Sequence, residues 1–484
     1  MSARPPLGPA SSDRRTLDPA DWDQFRAVSH AALDDMISFM TAAGEGPVWQ
    51  PAPDAIRQRF RAPIPHAGTD LANVLDDFHT DIKPYVTGNA HPLFMGWVHG
   101  AGNPAGMIGE MLAASLNANC GGRDHAGIEV ERQITQWAAE LMGYPSDASG
   151  LFVTGTSMAN FLALLVARTA LLGTEVRAQG IAGTASATLT SYTSAEAHGC
   201  IAQAMELAGL GSANLRRIPV GRDGGMRVDH LAGMIAADRA AGRLPFMLVG
   251  TAGTVNTGAY DDLNALAGIA ERQRLWFHID GAFGALLALA PDLRHKIAGI
   301  ERSQSIAFDF HKWAHVPYDA GFLLVRDPAL HRQTFASPVA YLGRAPRGLA
   351  AGETWPCDLG PDLSRGFRAL KTWFTLRVHG VDQIGACISQ CCAVARHLEQ
   401  RVSASSLFEM VSPALSNVVC FSIAGDASGA RNQELVMDLH ESGEAAPSVT
   451  IIDGRPVIRC AIVNHRTTEA HIDQFIDMMA ARLT

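Results

Sequence analysis

Charge is thin in this sequence and is nowhere concentrated. Charged residues make up 18% of the 484 positions, and the net charge is −9. No long basic tract interrupts that balance, so the electrostatic footprint of a nucleic-acid binder is missing, and nothing favours an acidic membrane surface. Long hydrophobic runs are also lacking. None approaches the roughly 18 apolar residues that a membrane span needs, and Gly284-Ala-Leu-Leu-Ala-Leu-Ala290 suffices only for a short buried segment. The eight cysteines include no Cys-x-x-Cys pair and no zinc-like spacing, so no metal is expected; Cys387, Cys391 and Cys392 fall at helical spacing as core or surface thiols. Such usage suits a reducing cytoplasm. The opening Met1-Ser-Ala-Arg-Pro-Pro-Leu-Gly-Pro-Ala10 has no apolar core of a secretory signal and reads as part of a frayed tail, residues 1–17.

What is present is apolar residue in quantity, 47% of the chain, and a length that suggests two or three domains. Residues 18–85 read as an N-terminal helical segment. Trp22, Phe25, Val28, Ala32, Met36 and Phe39 recur at helical spacing, with Asp18 placed as the cap and Pro19 as the first helical residue. Further helical stretches fall at residues 55–60 and 71–82. Residues 86–380 alternate strand and helix patterns, which argues for a mostly parallel sheet covered on both faces. The clearest strands are residues 246–250, 275–279, 305–308 and 321–325. Residues 381–484 read as a smaller α+β unit, with a helix at 387–402, strands at 418–422 and 457–463, and a closing helix at 469–482. No internal repeat is found.

Polar residues gather just beyond three of the strands, where ligands of open α/β sheets bind. One strand ends in Asp309-Phe310-His311-Lys312-Trp313; another, thirty-two residues before Lys312, ends in His278-Ile279-Asp280-Gly281-Ala282. Most lysines are solvated surface groups. An amine at the end of an apolar strand and among aromatic residues is instead desolvated and ready to act as a nucleophile. Pyridoxal phosphate requires such a pair, a lysine to hold its aldehyde as a Schiff base and a buried aspartate to keep its ring nitrogen protonated.

On these two motifs the chain resembles the pyridoxal-phosphate-dependent group II decarboxylases, the family of the aromatic amino acid and glutamate decarboxylases. The likeness runs from about residue 20 to the C-terminal Arg459 to Val463 segment, Asn464 and Thr467. It implies fold type I: a large domain with a mostly parallel, seven-stranded type of sheet, a small α+β C-terminal domain, and an N-terminal helical segment that clasps a second subunit in a homodimer.

The resemblance also assigns residues. Gly150-Leu-Phe-Val-Thr-Gly-Thr-Ser157 reads as a strand entering a helix, and Gly155, Thr156 and Ser157 then face an anion at the positive end of that helix; a simple helix cap is the other reading. In the family this position holds the cofactor phosphate. His198 matches a histidine stacked on the pyridine ring, and Thr254 matches a Gly-Thr-Thr turn whose second threonine is Val255 here. Ala282, Asp309 and His311 complete the cofactor set beside Asp280 and Lys312. Tyr341, 29 residues after Lys312, matches the tyrosine of a mobile loop that returns a proton to the substrate carbon. A buried structural tyrosine is the alternative. Trp97 and His99, in His91-Pro-Leu-Phe-Met-Gly-Trp-Val-His-Gly100, stand where the family meets its substrate. The implied reaction is decarboxylation of an L-amino acid, aromatic by preference, to the amine. Two alternatives stay open: an aldehyde synthase of the same family, which oxidises as it decarboxylates, and a serine hydrolase built on Ser157, with Gly155-Thr-Ser-Met-Ala159 as an imperfect nucleophile elbow followed by Asp280 and His311.

Overall fold

The computed structural model describes residues 15–185, 187–337, 343–352 and 354–483. They form two compact units: the described residues through Ala43 with Pro51–Val86, and Gly44–Gln50 with the described residues from Thr87 onward.

The first unit is helical. Its main helix, Trp22–Thr41, is capped by Asp21, whose carboxylate accepts the N–H groups of Asp23 and Gln24. The start falls later than the sequence suggests because Asp18 is engaged by the Thr16 hydroxyl at 3.0 Å and leaves the capping to Asp21. Helices Asp54–Arg59 and Leu71–Asp77 follow, the latter running on as a π-helical turn over Phe78–Ile82. Lys83 Nζ bridges both oxygens of Asp35 at 2.8 Å, and Arg59 meets Asp81 at 2.7 Å. Polar contacts therefore join these helices, while Trp22, Phe25, Phe39 and Phe60 remain exposed.

The second unit is organised by a seven-stranded sheet, as the resemblance implied. Its strands are β1 (Ser149–Val153), β2 (Leu189–Ser194), β3 (Leu215–Ile218), β4 (Leu244–Thr251), β5 (Trp276–Asp280), β6 (Ser305–Asp309) and β7 (Gly321–Val325), in the order β1-β7-β6-β5-β4-β2-β3. Strands β3, β2, β4, β5 and β6 run parallel, and β7 lies antiparallel to both β6 and β1. Every residue of β1, β2, β6 and β7 is buried, the mark of a sheet covered on both faces. One cover is the Thr156–Leu172 helix, which seats Leu162, Ala163 and Val166 against Ala307, Leu323 and Val325.

The topology gathers the carboxyl ends of the parallel strands on one edge of the sheet, and the inverted β7 begins at that edge. Gly321 pairs with both Val153 and Asp309. A Cβ at Gly321 would lie 2.3 Å from Gly155 Cα, so the absence of a side chain there is what lets the turn after β1 settle against β7.

The C-terminal part carries a second sheet, β8 (Phe408–Ser412), β9 (Val418–Ile423), β10 (Ser448–Ile452) and β11 (Arg455–Ala461), antiparallel throughout in the order β10-β11-β9-β8. Helix Arg368–Ala404, interrupted at Gly380, and helix Glu469–Leu483 pack on it through Leu398, Val402, Phe475 and Met479. Among the described residues no single helix is long and apolar enough to cross a membrane; Thr156–Leu172 with Val176–Thr184 passes that test only as a pair bent by 71°.

Candidate active site

The strand ends enclose a cavity of about 380 Å³. Asp280 ends β5 and Asp309 ends β6, and the turn after β6 carries Lys312 back over the sheet edge. That turn is tight against Gly100, where a Cβ would sit 2.0 Å from the His311 carbonyl oxygen.

Lys312 and Asp280 both face the cavity, with Gly155, Thr156, Ser157, His198, Ala282, Asp309, His311, Trp97 and His99 on its walls. The structure thus brings together all but two of the residues singled out from the sequence. Tyr341 lies outside the described residues. Thr254 is buried away from the cavity: its hydroxyl accepts the Ala259 N–H at 3.0 Å and meets Thr257 Oγ1 at 3.0 Å, closing its own loop. Thr251, at the end of β4, lines the cavity in its place.

Lys312 Nζ lies 3.0 Å from Asp309 Oδ2. Asp309 Oδ1 accepts the Thr156 N–H at 2.8 Å, so this carboxylate joins the lysine to the first turn of the Thr156–Leu172 helix. His311 Nδ1 accepts the Ala320 N–H at 3.0 Å, which leaves Nε2 facing Asp309 at 3.7 Å. Burial holds His311 below the usual histidine range, and does the same to His99 with the help of the Lys312 charge. Burial pushes Asp280 up, against the opposing pull of Lys312 and His198 and of the Ala282 N–H on Oδ1 at 3.3 Å. His198 accepts the Cys200 N–H through Nδ1 at 3.2 Å.

A stack of rings closes one side. His99 lies parallel to Phe94 at 5.7 Å and to Trp97 at 5.7 Å. Tyr318, which the sequence did not mark, tilts over His311 with ring centroids 4.3 Å apart, and its phenol is pushed up to about 12 by burial. Arg459 on β11 also went unmarked as a site residue. Its Nε donates to the carbonyl of Val255 at 2.8 Å and its Nη1 to that of Trp97 at 3.2 Å, fixing two stretches of the cavity wall.

Thr156 and Thr251 each bury a hydroxyl with no hydrogen-bond partner among the described residues. Buried polar atoms are rarely left unsatisfied. Two orphan hydroxyls beside the start of a 17-residue helix, an amine and a buried carboxyl match the donor and acceptor set of a phosphorylated pyridine aldehyde. A serine-hydrolase triad does not match: His311 is committed to Ala320 and Asp309, and among the described residues it makes no hydrogen bond to Ser157.

Fold and cavity together define an α/β enzyme of the kind that works on a small molecule at the carboxyl ends of its strands. The model of the pyridoxal-dependent decarboxylase conserved domain matches residues 53–424, and the chain belongs to that family. Its cofactor is pyridoxal 5′-phosphate, which sets aside the hydrolase alternative. The chain is 30% identical to an aromatic-L-amino-acid decarboxylase of Bacillus atrophaeus over 94% of each sequence. It is 28% identical to a phenylacetaldehyde synthase of Arabidopsis thaliana, covering 95% of this chain and 96% of that one. A crystal structure of an Oryza sativa TDC with PLP and tryptamine superposes with a TM-score of 0.88 at 27% identity, covering 97% of this chain and all of the other.

Proposed function

We propose that the protein removes the carboxylate of an aromatic L-amino acid as carbon dioxide and releases the amine. The observation that carries this reading is that Lys312 and Asp280 face one cavity whose entrance is lined with aromatic rings. Bound pyridoxal phosphate supplies an electron sink for the pair left on the substrate carbon. Lys312 would hold the cofactor through its amine. Asp280 would hold the ring nitrogen, His198 and Ala282 would bound the ring, and the hydroxyls of Thr156 and Ser157 with the backbone at Gly155 would hold the phosphate. Thr251 takes the place first given to Thr254. Asp309 keeps Lys312 in register with the helix start, and His311 backs that carboxylate. Tyr341 returns a proton to the substrate carbon after carbon dioxide has gone.

Trp97 and His99 are proposed to receive the substrate side chain. A neutral imidazole next to an indole offers one polar atom and a flat apolar surface, which suits an aromatic ring better than an acidic side chain. The relatives named above agree with that preference. Similarity to a phenylacetaldehyde synthase keeps a second reading in view, in which decarboxylation is coupled to oxidation. The presence of both His198 and Tyr341 favours simple decarboxylation.

We further propose a cytoplasmic homodimer. All eight cysteines are free, and Trp22, Phe25, Ile37 and Phe39 leave the main N-terminal helix with an apolar face that needs a partner. Sedimentation should give twice the chain mass. For the reaction, a panel of amino acids followed by mass spectrometry should show carbon dioxide and amine in equal amounts from an aromatic substrate, without oxygen uptake. Peroxide and aldehyde in place of the amine would establish the oxidative reading instead.

A further inference from the structure

Behind Asp280, a row of polar side chains, all but the first buried, runs along one face of the sheet. Trp276 and His278 stand on β5, Ser305 opens β6 opposite His278, Asn160 lies on the Thr156–Leu172 helix, and Cys200 opens the Cys200–Leu207 helix. Each touches the next. Trp276 Nε1 is 2.8 Å from Ser305 Oγ, which is 2.8 Å from His278 Nδ1; His278 Nε2 is 2.7 Å from Asn160 Oδ1. Asn160 Nδ2 is 3.2 Å from Cys200 Sγ, and Cys200 Sγ is 4.0 Å from Asp280 Oδ2, the outer limit for a sulfur donor.

The donors in this row can be assigned from its two fixed members. An indole N–H only donates, so Ser305 Oγ accepts from Trp276. Asn160 shows its oxygen to His278, so Nε2 must donate. Burial presses His278 down to about 3 and keeps the ring neutral, so Nδ1 is bare and takes the Ser305 proton. An amide hydrogen of Asn160 occupies the sulfur of Cys200. Burial also pushes that thiol up to about 12, so the S–H form is the one present. Its single hydrogen is left for the carboxylate. All five hydrogens point towards Asp280, and aligned bonds of this kind strengthen one another.

We propose that Cys200 is a positioning residue for Asp280: its thiol is the last donor of a one-way row that begins at Trp276, and it holds Oδ2 in place for the cofactor ring nitrogen. The proposal rests on the functional reading of Asp280 given above. The backbone N–H of Cys200 meanwhile goes to His198, so one residue sets the orientation of two site groups.

The infrared difference spectrum between the cofactor-free wild type and Cys200→Ala isolates this thiol among the eight. Its S–H stretch should lie below that of a free thiol and rise towards it in Asp280→Ala. Nitrogen NMR should show His278 as the neutral Nε2–H tautomer at pH 7, a reading that needs no substitution. In the holoenzyme, Cys200→Ala should lower kcat about tenfold with KM changed less than about twofold, the size expected for one weak hydrogen bond to a charged group, and Cys200→Ser should recover most of the loss. A free-thiol band that ignores Asp280→Ala, the opposite histidine tautomer, or a Cys200→Ser variant no better than Cys200→Ala would overturn the proposal. Failure of the wild type to bind pyridoxal phosphate would bring down the functional reading instead, and the infrared and NMR results on the cofactor-free protein would still judge the row itself.

Discussion

Lys312 and Thr156 are joined by one carboxylate: Asp309 holds the lysine Nζ at 3.0 Å with one oxygen and the threonine N–H at 2.8 Å with the other. The lysine and the start of the proposed phosphate site are therefore a single mechanical unit. A shift of the helix would be felt at the amine.

Replacing Lys312 by alanine should abolish the covalent link to pyridoxal phosphate and lower turnover by several orders of magnitude. Purified Lys312→Ala should lack the visible absorption of the wild type, and borohydride should add no cofactor mass to the peptide that carries this position. Wild-type activity in the variant would refute the assignment.

Asp309→Ala leaves a buried N–H and a half-buried ammonium without their acceptor, whereas Asp309→Asn keeps an acceptor for one of them. A buried donor stripped of its partner costs about 1–3 kcal/mol. Urea unfolding of the two variants should place Asp309→Ala below Asp309→Asn by a loss in that range, and cofactor affinity should follow the same order.

Gly321→Ala puts a methyl group 2.3 Å from Gly155 Cα, with backbone rather than a flexible side chain in its way. Overpacking of this kind costs about 1–3 kcal/mol. Thermal unfolding should show the loss. Because the push falls on the turn before Thr156, cofactor binding should weaken as well; a fully stable variant with normal affinity would mean that the turn is softer than its packing indicates.

His278 titrates near 3 in the folded chain against 6.5 for a free histidine, the cause being burial. The unfolded chain therefore takes up a proton that the native ring refuses. This contribution to stability is complete above pH 6.5 and is lost as pH falls towards 3, at about 1.4 kcal/mol per pH unit and up to about 5 kcal/mol in all. His278→Gln removes that proton from the balance. Its stability should fall less steeply than the wild type's between pH 6 and 4, in denaturant titrations run in parallel.

Much of this structure was legible in the sequence where one local rule decided the outcome. The run 321–325 is β7 residue for residue, and the strand before Asp280 ends where its carboxylate was placed. Strand order was not legible, because the antiparallel insertion of β7 between β1 and β6 is a choice among long-range pairings. The sequence pattern does not mark two of the small-sheet strands, β8 and β10. One, β10, had a local signal in Asp453-Gly454, whose positive φ angles of 50° and 76° make the tight turn into β11. Thr254 stands in the site on resemblance alone; alternation of faces stops at a strand end, and only the folded loop decides that the Thr251 side chain, and not that of Thr254, lines the cavity. Tyr318 reaches the site from a loop, Cys200 from the start of a helix and Arg459 from the small sheet, and neither motif nor spacing marks such an approach.

Arg459 ties the wall of the cavity to the last strand of the small sheet, and the Trp97 backbone it holds sits in the left-handed region at a φ of 51°. A non-glycine residue in that conformation needs support from its surroundings. If Trp97 receives the substrate as proposed, discrimination among substrates is adjustable from far outside the pocket. Repacking beneath β11 would reshape the mouth through Trp97 while Lys312 and Asp280 stayed as they were, and a strand of the small sheet would act as a tuning element for the chemistry of the large one.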